Sequence, residues 1–210
     1  MNIPLSKVLK KRAHLELALL QDEAIDIVYN IDDEVVFHGG TCIWRCFQGK
    51  RFSEDLDLYS TKITKEKLEI ESKKRGLKLI KYKETENSIY SKISNGESEV
   101  SIEFALRKIK GTICDYEKVD GSKILINALT KNELILEKAK AFASRKLIRD
   151  IYDVFFLTTN QNIVEIKQEL STIINTFPEP VDEKNLKTLI YSGPAPTFKD
   201  MITSIKNRVK

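Results

Sequence analysis

The spacing of apolar residues divides the chain into a mixed α/β front half and a helical carboxy-terminal third. Apolar positions recur at helical spacing from Leu5 to about Tyr29, and a short amphipathic helix is predicted from Thr41. Between these helices, residues 35–37 form a brief apolar run that ends at two glycines, as a strand does when it enters a tight turn. From Lys131 onward the pattern is helical. The pattern therefore predicts an α+β fold.

The stretch RFSEDLDLYS alternates between two faces of a predicted strand. Leu56 and Leu58 fall on one face, and Asp55, Asp57 and Tyr59 fall on the other. Two carboxylates that project the same way can bind one divalent cation or bridge two, and their repulsion makes the pair costly without a cation. Magnesium favours a few carboxylates together with substrate phosphates, and a pair of metal ions can activate an attacking hydroxyl. The aspartate pair therefore indicates a phosphate-bearing substrate.

Further strand-like runs follow a helix predicted over residues 64–75. The pair Asn95-Gly96 predicts a hairpin between two of these runs. In the later one, Glu103 stands alone among apolar neighbours and is the candidate third acid of the site. On sequence alone an ordinary outward-facing glutamate is an equal alternative, because adjacency to the aspartate strand cannot be derived from the sequence. The runs occupy residues 77–83, 88–93 and 100–106, with a short additional run at 124–126.

Length and composition exclude several classes of protein. With 210 residues and 41% hydrophobic content, the chain can form one core with a smaller helical unit, which we place at residues 1–127 and 128–210. No apolar stretch approaches the ~20 residues of a membrane span, and no leader of secretory type is found, so we expect a cytoplasmic protein without membrane contact. The three cysteines are odd in number and lack a second close pair, which argues against a disulfide framework or a structural zinc site.

The net charge of +4 is unevenly distributed along the chain. Over residues 61–150, Lys plus Arg outnumber Asp plus Glu by 21 to 14. This excess is consistent with a basic wall that faces a polyanion bound at the acidic pair. It is also explained by lysines that solvate a helix and a strand, and charge alone favours this second explanation.

The residues His38-Gly39-Gly40-Thr41 connect a predicted strand to a helix. Glycines allow the backbone to approach a phosphate closely, and a helix N-terminus offers unpaired N–H groups. Many turns use such glycines for geometry alone, so the motif gains weight from its order and spacing. A strand, the glycines, a short helix and then the acidic pair follow one another within a short stretch.

This order resembles the signature of the nucleotidyltransferase superfamily with the polymerase-β type of core, in which a strand ends in two small residues and Asp-hydrophobic-Asp follows a short helix. More narrowly, GGTCIWR with RFSEDLDL is similar to the AbiEii/AbiGii toxin family of type IV toxin–antitoxin and abortive-infection systems. A second block, from Glu137-Lys138-Ala139 to Arg149-Asp150-Ile151-Tyr152-Asp153, is similar to the downstream helical signature of that family. The resemblance implies a nucleotidyltransferase-type mixed β-sheet flanked by helices, with a C-terminal helical lobe.

The resemblance also implies roles for individual residues. Asp55 and Asp57 are the expected magnesium ligands and catalytic acids, and Glu103, proposed above from the strand pattern, is the candidate third member of this set. Lys138 and Asp150 match the downstream catalytic lysine and acid, although Asp153 competes with Asp150 for that role. The expected nucleotide-binding residues are Gly39, Gly40, Thr41 and Ser53, with Arg45 or Arg51 offsetting phosphate charge.

Lys138 also stands out on the helical pattern itself. It falls inside an apolar stripe, where a lysine either extends its ammonium to solvent or has a partner. That partner could be a triphosphate or one of the two downstream acids, and a structural salt bridge between helices is the alternative. The stripe is formed by Leu134, Ile135, Ala141 and Phe142.

Together these features predict a nucleotidyltransferase that uses Mg²⁺ or Mn²⁺ and a nucleoside triphosphate. By resemblance, the expected acceptor is RNA, for example a tRNA 3′ end, and the expected role is growth arrest that a separate antitoxin neutralises. One alternative is transfer to a small molecule or a protein. Another is a nucleotide-binding or antitoxin-like module that lacks turnover.

Overall fold

The structure is a computed structural model that describes residues 4–159 and 161–210. The chain forms two compact units, each described separately below. The first comprises the chain up to Cys46 together with Ser53–Leu129, and the second comprises Phe47–Phe52 and Thr130–Lys210. The division after Leu129 lies two residues beyond the boundary predicted from sequence, and the short segment Phe47–Phe52 groups with the later part of the chain. Residues 1–3 of the predicted first domain lie outside the described residues.

Within the described residues, the first unit is built on a seven-stranded mixed sheet with the strand order β3-β4-β5-β2-β1-β7-β6. Strand β2 pairs antiparallel with β1 and parallel with β5, so it lies in the middle of the sheet. The mixed sheet and its helices confirm the predicted α+β class. The strands are β1 (Val36–His38), β2 (Leu56–Tyr59), β3 (Lys78–Glu84), β4 (Ser88–Ser94), β5 (Glu99–Ala105), β6 (Thr112–Glu117) and β7 (Lys123–Ala128).

One face of this sheet is the core of the first unit. Leu56 and Leu58 of β2 are fully buried, as are Ile102 and Phe104 of β5. Helix α2 contacts β5. The alternation of the buried side chains with partly or fully exposed residues follows from the two-residue period of a strand. The helices of this unit are α1 (Leu5–Val8), α2 (Arg12–Ile31), α3 (Gly39–Phe47), whose last residue belongs to the second unit, and α4 (Lys65–Lys74).

Two local features of the first unit differ from the predicted elements. The single long first helix is interrupted after Val8, where Leu9 adopts an extended backbone, and the Ser6 N–H donates to the Val119 carbonyl at 3.0 Å. Strand β6 was not predicted, and it lies at an edge of the sheet, where Ile113 is 59% exposed. Edge strands need little apolar alternation, because solvent covers part of their surface.

The second unit is helical. Helix α5 begins with a capping box, in which the Thr130 hydroxyl accepts from the Glu133 N–H and the Glu133 carboxylate accepts from the Thr130 N–H. It ends at Lys146, which adopts a left-handed conformation. The helices of this unit are α5 (Lys131–Arg145), α6 (Ile148–Leu157), α7 (Lys167–Ile174), α8 (Leu186–Leu189) and α9 (Phe198–Arg208), with short 3₁₀ turns at Val164–Ile166 and Glu183–Asn185. In the part of the chain that is described, no helix has the length and apolar character needed to span a membrane.

Candidate active site

The acidic residues of the first unit meet on the open face of the sheet. Strand β2 presents Asp57 between His38 of β1 and Glu103 of β5, and both neighbours are its Cα partners in the strand register. Neighbouring strands lie about 4.8 Å apart, so the Asp57 and Glu103 carboxylates start from adjacent backbone positions. Asp55 lies just before β2 and is exposed, whereas Asp57 is half-buried. The adjacency that the sequence could not provide for Glu103 is therefore present.

The titration of Glu103 reflects this crowding. Partial burial raises the pKa of the Glu103 carboxyl, and the negative charges of Asp57 and Asp55 raise it further. His38 offsets part of this effect. Like charges at one site disfavour ionisation of each other, and a bound cation would reverse the effect. The three acids are thus electrostatically coupled.

The carboxylates have the chemistry of a magnesium site without a closed coordination shell. In residues 4–159 and 161–210, no group of three or more His, Cys, Asp or Glu side chains is drawn together closely enough to hold a metal ion. The strand register places Asp57 beside Glu103, and Asp55 directly precedes the same strand, close enough for its charge to act on Glu103. The register fixes the backbone positions of Asp57 and Glu103, and their rotatable carboxylates can converge on a cation. Carboxylate oxygens suit Mg²⁺, which takes its remaining ligands from water and substrate phosphates.

Gly39 lies directly against the Asp57 side chain. It begins α3 with φ +76°, and a Cβ built on it would lie 1.9 Å from Oδ2 of Asp57 and 2.8 Å from its Cβ. Only glycine meets both demands, since a side chain here would be strained and would collide with the carboxylate. The glycine motif thus places the first turn of α3 beside the acids, where helix N–H groups favour an anion. Gly40 follows in this first turn and is buried.

Two side chains hold the backbone that leads into β2. The buried Thr41 hydroxyl donates to the Asp55 carbonyl at 2.5 Å. The Gln21 amide, on α2, donates to the carbonyls of Ser53 and Glu54 at 2.9 and 3.0 Å. These bonds fix the segment from which the Asp55 carboxylate projects. They also indicate that Thr41 acts on the backbone of the site, whereas the sequence predicted a direct contact with phosphate.

An aromatic and cationic stack borders the acids. The His38 imidazole stacks on the Tyr59 ring with centroids 4.0 Å apart, and the Arg107 guanidinium lies 5.3 Å from the same ring centroid. Tyr59 and Arg107 belong to the lining of a groove of about 510 Å³, which also contains Lys108 and Lys110. Only the position of Tyr59, on the same strand face as the aspartates, could have been found from the sequence.

Arg45 is a core residue in this structure. Its guanidinium forms an ion pair with Asp22, and its Nε donates to the Glu117 carbonyl at 2.8 Å. The guanidinium also makes cation–π contacts with Trp44 and Tyr116, whose ring centroids lie 5.0 and 4.8 Å from its central carbon. A side chain that is 1% exposed cannot reach a bound phosphate without leaving a buried carboxylate unpaired. The predicted phosphate contact of Arg45 is therefore replaced by a structural one.

Arg51 has a comparable role within the second unit. Its Nε and Nη2 donate to the two carboxylate oxygens of Asp153 at 2.6 and 2.5 Å, and both side chains are almost fully buried. This fork geometry is the strongest form of arginine–carboxylate pairing. The pair connects the short segment before β2 to α6, so the predicted contact of Arg51 with phosphate is likewise replaced by a structural contact.

Lys138 and Asp150 are brought together on facing helices of the second unit. The Lys138 Nζ lies 3.9 Å from Oδ1 of Asp150, beyond hydrogen-bond distance, and 4.0 Å from the Glu137 carboxylate. Asp150 is fully buried and accepts two bonds of 2.6 Å from Arg145. Because Asp153 is engaged by Arg51, Asp150 is the acid that accompanies Lys138. The lysine is thus near a carboxylate that another cation already neutralises.

The amino-acid sequence matches a known protein family. Residues 28–191 match the sequence profile of the family described as nucleotidyl transferase AbiEii toxin, Type IV TA system. The match covers most of the chain and confirms the resemblance drawn from the two sequence motifs. No curated protein was found to match the chain.

Several solved structures share the fold at low sequence identity. The toxin MenT4 of Mycobacterium tuberculosis H37Rv aligns with a TM-score of 0.61 and 17% identity, over 99% of this chain and 89% of that one. JHP933 from Helicobacter pylori aligns with a TM-score of 0.60 and 18% identity, over 92% and 90% of the two chains. ANT(2″)-Ia, in complex with adenylyl-2″-tobramycin, aligns with a TM-score of 0.51 and 12% identity, over 76% of this chain and 98% of that one. These likenesses confirm the predicted nucleotidyltransferase-type architecture.

Proposed function

This chain belongs to the AbiEii family of nucleotidyltransferase toxins, and from that premise we propose that it transfers a nucleotide from a nucleoside triphosphate to an RNA 3′ hydroxyl. The reaction forms a phosphodiester bond at the α-phosphate and releases pyrophosphate. It depends on Mg²⁺ or Mn²⁺ bound by Asp55, Asp57 and Glu103. A tRNA 3′ end is one acceptor that fits this chemistry.

One observation carries the proposal. Asp57 lies in register with Glu103 on one side, and its carboxylate packs against Gly39 at the start of a helix on the other. Three coupled acids call for a cation, and the helix start favours an anion. A phosphate that bridges the two is the ligand that satisfies both.

The residues of the first unit divide the chemistry between them. When a divalent ion is bound, it supplies charge neutralisation and lowers the pKa of the attacking hydroxyl. Gly39 and Gly40 allow the triphosphate to approach the backbone N–H groups of α3. Asp57 holds the centre of the site, and Glu103 lies on the side away from Gly39. Gln21 and Thr41 keep the Asp55 backbone in place, which limits reorganisation during the reaction.

Within the second unit, we propose Lys138 as the catalytic lysine that the family resemblance implies. Its ammonium lies at more than hydrogen-bond distance from Asp150, and that carboxylate is already paired with Arg145. At 3.9 Å the Lys138–Asp150 ion pair is near the outer limit of a salt bridge, whereas Arg145 contacts the same carboxylate at 2.6 Å. Lys138 thus retains hydrogen-bonding capacity for an anionic ligand.

The biological role that we propose is growth arrest in the cytoplasm, neutralised by a cognate antitoxin. Family membership supports this role, since the family is described as the toxin of a type IV toxin–antitoxin system. The alternative acceptor is a small molecule or a protein, and ANT(2″)-Ia is a structural relative whose complex contains an adenylylated small molecule. The non-enzymatic alternative is a module that binds a nucleotide without turning it over.

The acceptor is tested by incubating the protein with each labelled triphosphate, Mg²⁺ and total RNA. We expect labelled RNA from the unmodified protein and from Glu86→Gln, which alters an exposed acid between β3 and β4. Asp57→Asn should abolish the label. Full incorporation by Asp57→Asn would contradict the metal assignment. Labelled small molecules without labelled RNA would support the alternative acceptor, and tight nucleotide binding without pyrophosphate release would support the non-catalytic module.

The toxic role is tested in cells by induced expression of the unmodified protein beside Asp57→Asn. The unmodified protein should arrest growth and extend RNA 3′ ends, which sequencing of those ends detects. Equal growth with identical RNA ends in both cultures would remove the toxin assignment.

A further inference from the structure

The open face of the sheet carries a continuous row of functional side chains across five adjacent strands. The register aligns Lys83 with Tyr90, Tyr90 with Glu103, Glu103 with Asp57, and Asp57 with His38. Because strand partners project side by side, the candidate metal site continues directly into a tyrosine and a lysine on β4 and β3. Tyr90 starts two strand spacings, or about 10 Å, from Asp57.

The far end of this row is basic and concave. Lys81 and Lys83 are exposed, and the Lys81 Nζ lies 4.8 Å from the centroid of the Tyr90 ring. Both lysines and Tyr90, together with Thr85 and Ser88, line a groove of about 360 Å³. The groove offers two cations and a flat ring, which are complementary to a phosphate backbone and a base.

The in-line geometry of the reaction determines which substrate lies on the Tyr90 side of Asp57. Attack on a phosphorus atom is in line, so the attacking hydroxyl and the leaving pyrophosphate lie on opposite sides of the transferred phosphate. If the triphosphate lies at Gly39, on one side of Asp57, then the acceptor approaches from the side of Glu103. That side leads to Tyr90 and on to Lys83.

We propose that the groove of β3 and β4 binds the single-stranded 3′-terminal segment of the acceptor RNA, with Tyr90 stacking on a base and Lys81 and Lys83 contacting phosphates. The inference rests on the proposed function and adds a location and a form of the acceptor to it. An aromatic ring can stack only on a base that is not paired within a duplex. A stacking contact is also tolerant of sequence, because every base has a π-face.

The first test measures binding of a terminally labelled single-stranded RNA over a series of salt concentrations. Each phosphate contact to a single strand contributes about 0.7 to the slope of log affinity against log salt, so Lys81→Ala/Lys83→Ala should reduce that slope by about 1.4. The matched control Lys65→Ala/Lys73→Ala removes two exposed lysines of α4 and should leave the slope unchanged. Equal slopes for the groove variant and the unmodified protein would overturn the inference.

The second test concerns stacking. Tyr90→Ala should weaken RNA binding about tenfold, whereas Tyr90→Phe keeps the ring and should bind as the unmodified protein does. A duplex of the same sequence should bind more weakly than the single strand and should show no dependence on Tyr90. Equal binding of the duplex, or an equal loss in both tyrosine variants, would exclude the stacked single strand.

These measurements are independent of turnover. If nucleotide transfer fails while Lys81→Ala/Lys83→Ala still loses RNA binding, the proposed function is wrong and the groove is confirmed as a binding surface for RNA. If transfer succeeds and the groove variants bind and react normally, the proposed function is retained and this location of the acceptor is wrong.

Discussion

The carboxylate of Asp57 occupies the space that any side chain at Gly39 would need. The gap between them is so small that a Cβ on the glycine would lie 1.9 Å from Oδ2 of the aspartate. The turn that starts α3 and the acid at the centre of the site are therefore built as one unit, and neither position can change alone.

Gly39→Ala should abolish nucleotide transfer, with a loss of at least about 100-fold, because misplacement of a reacting group by about 1 Å has an effect of this size. The backbone at this position also disfavours alanine, since φ is +76°. Incorporation of labelled nucleotide and thermal unfolding measure the two effects.

Gly76→Ala is the matched control for Gly39→Ala. Gly76 also has a positive φ, but a Cβ there would meet nothing within 4 Å. It should lose about 1–2 kcal/mol of stability through backbone strain and retain full activity. If both variants lost activity equally, the collision with Asp57 would not be the cause.

Gln21→Leu should lower kcat about tenfold and leave the KM for the triphosphate nearly unchanged. The substitution removes the two bonds to the carbonyls of Ser53 and Glu54, so the Asp55 carboxylate loses its fixed position. Stability should fall by about 1–3 kcal/mol, the effect of leaving buried polar groups unpaired. Steady-state kinetics at increasing Mg²⁺ concentration provide the decisive measurement, because a displaced metal ligand is rescued by metal and a general loss of folding is not.

The matched control for Gln21→Leu is Gln168→Leu, an exposed glutamine of α7. It should change neither kcat nor the response to Mg²⁺. A kcat of Gln21→Leu equal to that of this control would show that the clamp on the backbone has no part in catalysis.

The pH dependence of metal binding follows from Glu103. Burial and the charges of Asp57 and Asp55 raise its pKa in the folded protein, and the unfolded chain lacks both effects. Metal ligation requires the ionised form, so Mg²⁺ affinity should weaken as the pH falls through the raised pKa of Glu103. Titration of Mg²⁺ by calorimetry at several pH values measures this, and Glu103→Gln should lower the affinity and remove the part of the pH dependence that Glu103 contributes.

The same raised pKa predicts the stability of the metal-free protein. The contribution of Glu103 is fully present below its unfolded pKa and is lost as the pH rises through the folded pKa. At neutral pH, Glu103→Gln should therefore raise the unfolding temperature, by less than the ~2–4 °C that 1 kcal/mol produces, because the group is largely exposed. Glu86→Gln should produce no change. A lower unfolding temperature for Glu103→Gln would refute repulsion among the acids.

The structural role of Arg51 is tested by replacing it alone and together with Asp153. Arg51→Met alone should destabilise the protein by about 3–5 kcal/mol, because it leaves a buried carboxylate without a partner. Arg51→Met/Asp153→Leu should recover most of that loss. Urea unfolding measures both variants, and a triphosphate KM that stays raised in the double variant would restore the role in phosphate binding.

The sequence predicts the strand that carries the aspartates and the neighbouring hairpin well, because the signals for both are local. The alternation of Leu56 and Leu58 with Asp55 and Asp57 gave the strand and its acidic face, and both leucines are fully buried. The Asn95-Gly96 turn gave the hairpin of β4 and β5, which is present with Gly96 at positive φ. Predictions of this kind depend on the period of the strand and on turn chemistry, which act within a few residues.

The roles of the arginines could not be predicted from the sequence. Arg45 and Arg51 lie close to the motif, but their partners Asp22 and Asp153 are distant in the chain. Whether an arginine faces a phosphate or a buried carboxylate depends on tertiary packing, which local pattern does not encode. Gln21 has a detectable signal, since it is a polar residue inside the apolar stripe of α2, but the signal does not reveal what it binds.

The parallel pairing of β2 with β5 has a consequence for synthesis of the protein. Helix α4 and the strands β3 and β4 all separate Asp57 from Glu103 along the chain. The third acid therefore joins the other two only after the ribosome has made this whole intervening segment and the sheet has closed around it. Non-local pairings of this kind form late and slowly. A nascent or truncated chain that ends before β5 therefore lacks the third candidate acid.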